Sequence, residues 1–202
     1  MVIGLLSIIA IPTVTGVALG TREQRRENMR KADERRMARF YIDISCEVKE
    51  LRGRRVVLRD NKVYLDHPQP SMRKTPAHSA QAFFIGYPDN ERDRGDGLVS
   101  TVSDDPPMLN WIYVDKDRLD LRYGNRTQSI DHIVGPWDWT EDGKRVTIEG
   151  QERFMAVKEE EGIWALYYDR HGDALASVVE AGKAVVEIAL YRRVIEEIAG
   201  NN

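Results

Sequence analysis

The sequence predicts a mainly β chain, an antiparallel sandwich or barrel preceded by an apolar N-terminal helix and a charged helical neck. Three observations carry that prediction. From Phe40 onward, short β-branched and apolar runs recur at roughly 8–14-residue spacing, with few helical patterns between them. Turn signals such as Asp60-Asn61 and Glu161-Gly162 separate those runs. Ahead of them, the first twenty-one residues carry no charged side chain, whereas the next eighteen carry twelve.

Residues 1–21 form the apolar segment. Val2 to Leu19 is about eighteen residues, near the lower limit for a helix crossing a ~30 Å hydrocarbon core. Pro12 removes one backbone hydrogen bond from such a helix and kinks it. Gly16 and Gly20, four apart, permit close approach of a second helix. Three readings stay open: a membrane span, a secretion signal cut after Ala18-Leu19-Gly20, or a helix packed on its own protein or on another copy. If the segment spans, Arg22, Arg25, Arg26, Arg30 and Lys31 flank it, and the positive-inside rule leaves the body in the cytoplasm. The partner expected for residues 1–21 is therefore a membrane or another copy of the chain, with a secreted protein as the alternative.

Residues 22–39 form the neck. It is free of Gly and Pro, rich in helix formers, and pairs Glu27 with Lys31 at i,i+4. Being polar nearly all round, it reads as a solvated helix rather than a core one.

Residues 40–193 form the β-domain. FYIDISCEV is its first strand, with Cys46 expected as a buried strand residue. RRVVLRDNKVYLDH is a hairpin about Asp60-Asn61, and IYV, a polar Asp-Lys-Asp turn and LDLRYGN make another. KRVTIEG and RFMAVKEEEGIWALYYD repeat the scheme, reversing at Gly150 and at Glu161-Gly162. KAVVEIALYRRVIEE fits both periods; Val186, Ile188 and Leu190 alternate as one strand face, so a last strand ends near Arg193 and residues 194–202 are a short helical tail. Asp66 to Gln81, with Pro68, Pro70 and Pro76, and Pro88 to Gly97 read as surface loops. No internal repeat of 20–50 residues is visible.

Composition excludes some functions. The net charge of −3 divides into +4 over residues 1–39 and −7 over the remainder. The body carries no basic stripe, so nucleic acid is not an expected partner. A single cysteine forbids an intramolecular disulfide and suits a reducing compartment.

Chemistry is sparse. The sequence has no phosphate-binding glycine loop, GxSxG elbow, HExxH, CxxC or EF-hand loop, and its four histidines lack metal-ligand spacing. Neither a cofactor nor a metal is predicted. In STVSDDPPMLNWIYVDKD, Asp104 and Asp105 are adjacent carboxylates that suit a hard cation or an acid/base pair, with Asn110 and Trp111 close by. The structural alternative makes the two prolines a rigid lead into a strand, with the aspartates as turn formers. In GPWDWTEDG, Trp137 and Trp139 share a strand face and form either a ligand-stacking shelf or the closed end of a core. His132, in SIDHIVG, is a candidate base or a near-core imidazole. Asn125-Arg126-Thr127 is a glycosylation sequon, meaningful only in a secretory lumen, and Arg94-Gly95-Asp96 is a chance tripeptide in a polar loop.

SDDPPMLNWIYVDKD, RYGNRTQSIDHIVGPWDWTEDG and WALYYDRHGD, together with the opening IGLLSIIAIPTVTGV, resemble a family of uncharacterised proteins from filamentous ascomycete fungi. The resemblance implies that the N-terminal segment and the β-body belong to one design. It implies no activity and no catalytic residue. The function expected is non-enzymatic: a membrane-associated or self-associating protein presenting a cytoplasmic β-domain to a protein partner. A secreted β-protein acting outside the cell is one alternative, and an enzyme or ligand carrier with its site inside a barrel is another.

Overall fold

The computed structural model describes residues 13–104 and 106–195, and the chain divides into two compact units, Met1–Met37 and Ala38–Asn202. In the first unit, helix α1 (Thr13–Met37) runs without interruption through the junction at Thr21–Arg22. The charge step there therefore marks no element boundary. The first twelve residues of the expected apolar helix lie outside the described residues. Every residue from Glu23 to Arg35 is exposed, including Arg25, Arg26, Arg30 and Lys31. Lys31 pairs with Glu27 at 2.9 Å and Arg30 with Glu34 at 3.3 Å, each i,i+4 pair worth about 0.2–0.5 kcal/mol. Among the described residues, no helix is long and apolar enough to cross a membrane.

The second unit is built from strands β1 (Phe40–Ser45), β2 (Arg55–Arg59), β3 (Lys62–Asp66), β4 (His78–Ser79) and β5 (Gln81–Gly86). Then come β6 (Asp96–Asp104), β7 (Pro107–Val114), β8 (Leu121–Gly124) and the single-turn helix α2 (Arg126–Ser129). The chain finishes with β9 (Trp137–Trp139), β10 (Val146–Ile148), β11 (Phe154–Glu160), β12 (Ile163–Tyr168) and β13 (Val185–Val194). The pairings are antiparallel, as expected for a mainly β chain. They also close on themselves: β1 pairs β2, β2 pairs β3, β3 pairs β12, β12 pairs β11, β11 pairs β13 and β13 returns to β1. Closure gives each strand of the ring two neighbours and buries one apolar face inside.

Three long hairpins organise this unit, and the sequence alone does not reveal their kinship. β2–β3, β6–β7 and β11–β12 each end on the same short pattern, Tyr64-Leu65-Asp66, Tyr113-Val114-Asp115 and Tyr167-Tyr168-Asp169. The aspartates fall 49 and 54 residues apart. A threefold repeat is thus present where none was visible in the sequence. All three aspartates are buried, and each shapes the turn beyond its strand. Asp66 accepts from the amides of His67 at 2.7 Å and Lys74 at 3.3 Å. Asp115 accepts from Asp117 and Arg118, both at 3.0 Å. Asp169 accepts from Gly172 at 2.9 Å, Asp173 at 3.1 Å and Ala174 at 3.0 Å. Beyond the second and third aspartates, Leu119 and Leu175 are buried at positive φ, 59° and 65°. That backbone is uncommon for leucine, and the tight turns impose it.

Several expectations need adjusting. Cys46 lies one residue beyond β1, half-buried, its thiol 3.6 Å from the Val48 carbonyl. The Asp66–Gln81 stretch is not all loop, since β4 pairs with β2 and the His78 ring meets Thr101 Oγ1 at 3.0 Å. The last stretch is a strand to Val194, one residue into the tail expected as a helix, and beyond Ile195 that tail lies outside the described residues.

Candidate functional site

The most developed polar feature of the body lies where β3, β8 and β12 meet. Lys62 leaves the start of β3, Arg122 lies opposite it on β8, and Tyr167 projects from β12. Asp120, completely buried just ahead of β8, joins them. Its Oδ2 makes no hydrogen bond of normal geometry among the described residues; charge holds it, with Lys62 Nζ at 3.2 Å and Arg122 Nη2 at 3.3 Å. Lys62 also donates to Glu159 and to the Tyr167 hydroxyl at 3.4 Å, and that hydroxyl donates to Glu159 at 3.3 Å. The members come from three separate stretches of chain, the start of β3, the approach to β8 and the β11–β12 hairpin, so the fold assembles the cluster.

The protonation states follow from these contacts. Burial pulls the Lys62 ammonium down, but the hydrogen bond to Glu159 and the nearby charges outweigh it and hold its pKa above the ordinary lysine value. Burial pushes the Tyr167 phenol up. Burial also works to raise Asp115, yet the amides of Arg118 and Asp117 and the neighbouring His132 and Arg122 leave it below the usual carboxylate range. Lysine and phenol are thus driven away from neutrality, the reverse of what a proton-transfer group needs.

Two members of this cluster, Glu159 and Tyr167, line a groove of about 320 Å³. Val157, Val178 and Val179 supply an apolar wall, and Arg118, Glu180 and Lys183 stand at its sides. Lys183 and Arg118 are exposed at 40% and 63%, each at 3.9 Å from a carboxylate, that of Glu180 and Asp120 respectively. Among the described residues no group of three or more His, Cys, Asp or Glu side chains is placed to hold a metal ion.

A model of a fungal beta-trefoil domain matches residues 16–196. The chain belongs to that family. No curated protein and no solved structure matches it. The resemblance read from the sequence therefore stands at the level of a fungal family, and no activity comes with it.

In this β-trefoil the residues singled out by sequence scatter. Asp104 ends β6 opposite Pro107, and Asp105 lies outside the described residues. Asn110 faces Ser100 across the β6–β7 ladder. Trp111 packs edge-on against Tyr87 at 4.7 Å and covers Gly97, where an added Cβ would lie 2.5 Å from the indole. Trp137 is buried in a stack with Phe154 and Tyr168. Trp139 is half-buried between the edge of Phe84 and the Arg192 guanidinium, 4.0 Å above its ring. The two indoles close a core and form no shelf together. His132 alone among the described candidates reaches the polar cluster: it stacks on Tyr113, accepts from the Lys116 amide at 3.2 Å and lies 3.9 Å from Asp115.

Two motifs acquire structural roles. Asn125 caps α2, its side chain accepting from the Gln128 amide at 3.0 Å while Gln128 accepts from the Asn125 amide at 2.9 Å. Gly95 packs on Pro136 at φ +64°, and Arg94 reaches the Ile130 carbonyl at 3.1 Å, so Arg94-Gly95-Asp96 is a packing element. The residues that sequence reasoning missed are Lys62, Asp120, Glu159 and Tyr167. The signal that points to them is the repeated Tyr-x-Asp, because Tyr167 belongs to its third copy.

Proposed function

We propose that this β-trefoil is a non-catalytic binding module whose body takes a neutral, hydroxyl-rich ligand, a saccharide, in the groove lined by Arg118, Glu159 and Tyr167. The observation that carries the reading is the donor–acceptor pair in that lining, the Tyr167 hydroxyl and the Glu159 carboxylate, both bonded to Lys62. A lysine held above its ordinary pKa and a phenol pushed up offer fixed donors and acceptors, not a base poised near neutral pH. The groove mixes both signs of charge, with Arg118 and Lys183 beside Asp117, Glu159 and Glu180, so no single-sign ligand is favoured. Paired hydroxyls give and accept hydrogen bonds at once and match such a surface. The C–H face of a sugar ring suits the valine wall.

The test is retention of the full-length protein on a panel of immobilised mono- and oligosaccharides. Arg118→Ala is expected to weaken retention about tenfold, the worth of one hydrogen bond to a charged group, and Tyr167→Phe, which keeps the ring and removes the hydroxyl, about fivefold, the worth of a neutral one. No retained saccharide, or retention indifferent to both changes, overturns the reading.

We also propose that residues 1–21 attach the body to a membrane or to a second copy, with the body on the cytoplasmic side. The charge step after Thr21 supports this. Alkaline carbonate extraction from the native cell, with mass spectrometry of the N-terminus, tests it. An intact segment in the pellet supports attachment to a membrane. An intact but extractable protein that runs as a monomer, or an N-terminus at Thr21 with the protein in the medium, sinks the attachment reading.

A further inference from the structure

The strand ring leaves one interruption. β13 is ten residues long, and its two neighbours share it unequally: β11 pairs with Val185–Ile188, and β1 pairs with 189–194. The ladder to β1 stops at Ala189–Ser45, because the chain turns away at Cys46 into the short turn Lys49–Leu51. Between the diverging strands lies a groove of about 630 Å³, separate from the saccharide groove.

The backbone of that wedge is unpaired on one side. Lys158 N donates to Ala184 O on the β11 side, and Ile195 N donates to Arg39 O on the β1 side. Successive residues of an antiparallel strand turn their amides to opposite sides. Even-numbered residues of β13 therefore face β11 at this end, and Val185 and Glu187 turn their N–H and C=O to the opposite side, where Glu187 lines the groove. Among the described residues no backbone group meets them there. Four residues of strand run ~13 Å, long enough to seat one short extended segment.

The side chains define what fits. Cys46, Val48 and Val186 are half-buried and continue the core into the groove as its floor. Glu47 and Glu187 stand exposed on opposite walls. Arg145 is already engaged with Glu152 at 2.9 Å, and Arg52 donates to the Glu47 backbone carbonyl at 3.4 Å. Among the described residues the Glu47 and Glu187 carboxylates make no ion pair, so the rim is acidic. Charged edges normally repel stray strands; a rim of one sign selects a strand of the other.

We propose that this wedge is a docking site for a short extended peptide bearing Lys or Arg, added as a strand along Val185–Ile188. The ladder bonds to Val185 and Glu187 supply affinity, and alternate side chains give specificity, one set on the valine floor and the other toward Glu47 and Glu187. The proposal is independent of the saccharide reading.

The experiment uses the full-length protein and a panel of synthetic hexapeptides. One group alternates Val or Thr with Lys, a second replaces Lys by Glu, and a third N-methylates the backbone of the first. Binding is read together with amide hydrogen exchange. In the free protein the Glu187 amide exchanges readily, and the basic peptides slow it. Acidic and N-methylated peptides bind at least about tenfold more weakly, and Glu47→Lys with Glu187→Lys costs the basic peptides about tenfold. Both substitutions are at exposed positions, so the fold survives them. Protection of Glu187 in the free protein, no binding by any basic peptide, binding without protection at Glu187, or equal binding of the N-methylated group each overturns the proposal.

Discussion

Asp115 shows how one residue links fold and site. Its Oδ1 holds the turn after β7 through two amides, and its Oδ2 lies 3.6 Å from Arg122 Nε, the cation that also meets Asp120. Its folded pKa is below the usual 3.8. A carboxylate lowered in this way stabilises the fold at every pH above its unfolded value, and that contribution is lost as pH falls through the folded value. Stability to urea is therefore expected to drop as pH goes from about 5 down through the acid range. Asp115→Asn keeps the Oδ1 acceptor and removes the charge, so it should lower stability at pH 7 and flatten this acid slope; an unchanged slope would show that Asp115 does not carry it. The sequence drew attention to Asp104 and Asp105, two carboxylates beside prolines, when the informative aspartate was ten residues further on. The reason is physical. A repeat of three residues, at unequal intervals of 49 and 54 with unlike flanks, gives no periodic signal until the hairpins are superposed in space.

At the scale of elements, the hairpins that read most plainly are those whose turn chemistry is local. Asp60 and Asn61 have φ of 50° and 59°, the left-handed pair that joins two twisted strands most tightly. Asn tolerates that backbone and a β-branched residue does not. Asn61→Val is expected to cost about 1–2 kcal/mol, and Asn61→Gly to be near neutral, in equilibrium unfolding. Equal effects would mean that the strands, not the turn, set the register. The final stretch was ambiguous because Leu190, Val194 and Ile198 also suit a helix; ladders to β11 and β1 on opposite sides decided it. The polar cluster was illegible for a related reason. Lys62 follows the turn in RDNKVYLD and reads as an ordinary surface lysine, while Glu159 and Tyr167 lie 97 and 105 residues away. Only ring closure between β3 and β12 makes them neighbours.

For the whole molecule, the question is how much of the chain the β-trefoil needs. The ring is closed by strands from the two ends of the body, Phe40 pairing with Val194. Every buried apolar side chain among the described residues falls between Phe40 and Leu190. The helix unit ends at Met37, and its described side chains up to Arg35 are exposed. Burial of apolar area supplies most folding free energy, at about 25 cal/mol per Å². A chain beginning at Ala38 should therefore keep the body's full stability, unfolding in one cooperative transition within about 4 °C of the full-length protein. That margin corresponds to about 1 kcal/mol for a domain of this size. Differential scanning calorimetry of the two chains at equal concentration checks it. A larger fall in Tm would mean that residues 1–37 contribute directly to the body's stability, and the apolar opening would then have a folding role. An unchanged Tm would leave that opening available for attachment, because the trefoil would already be complete without it.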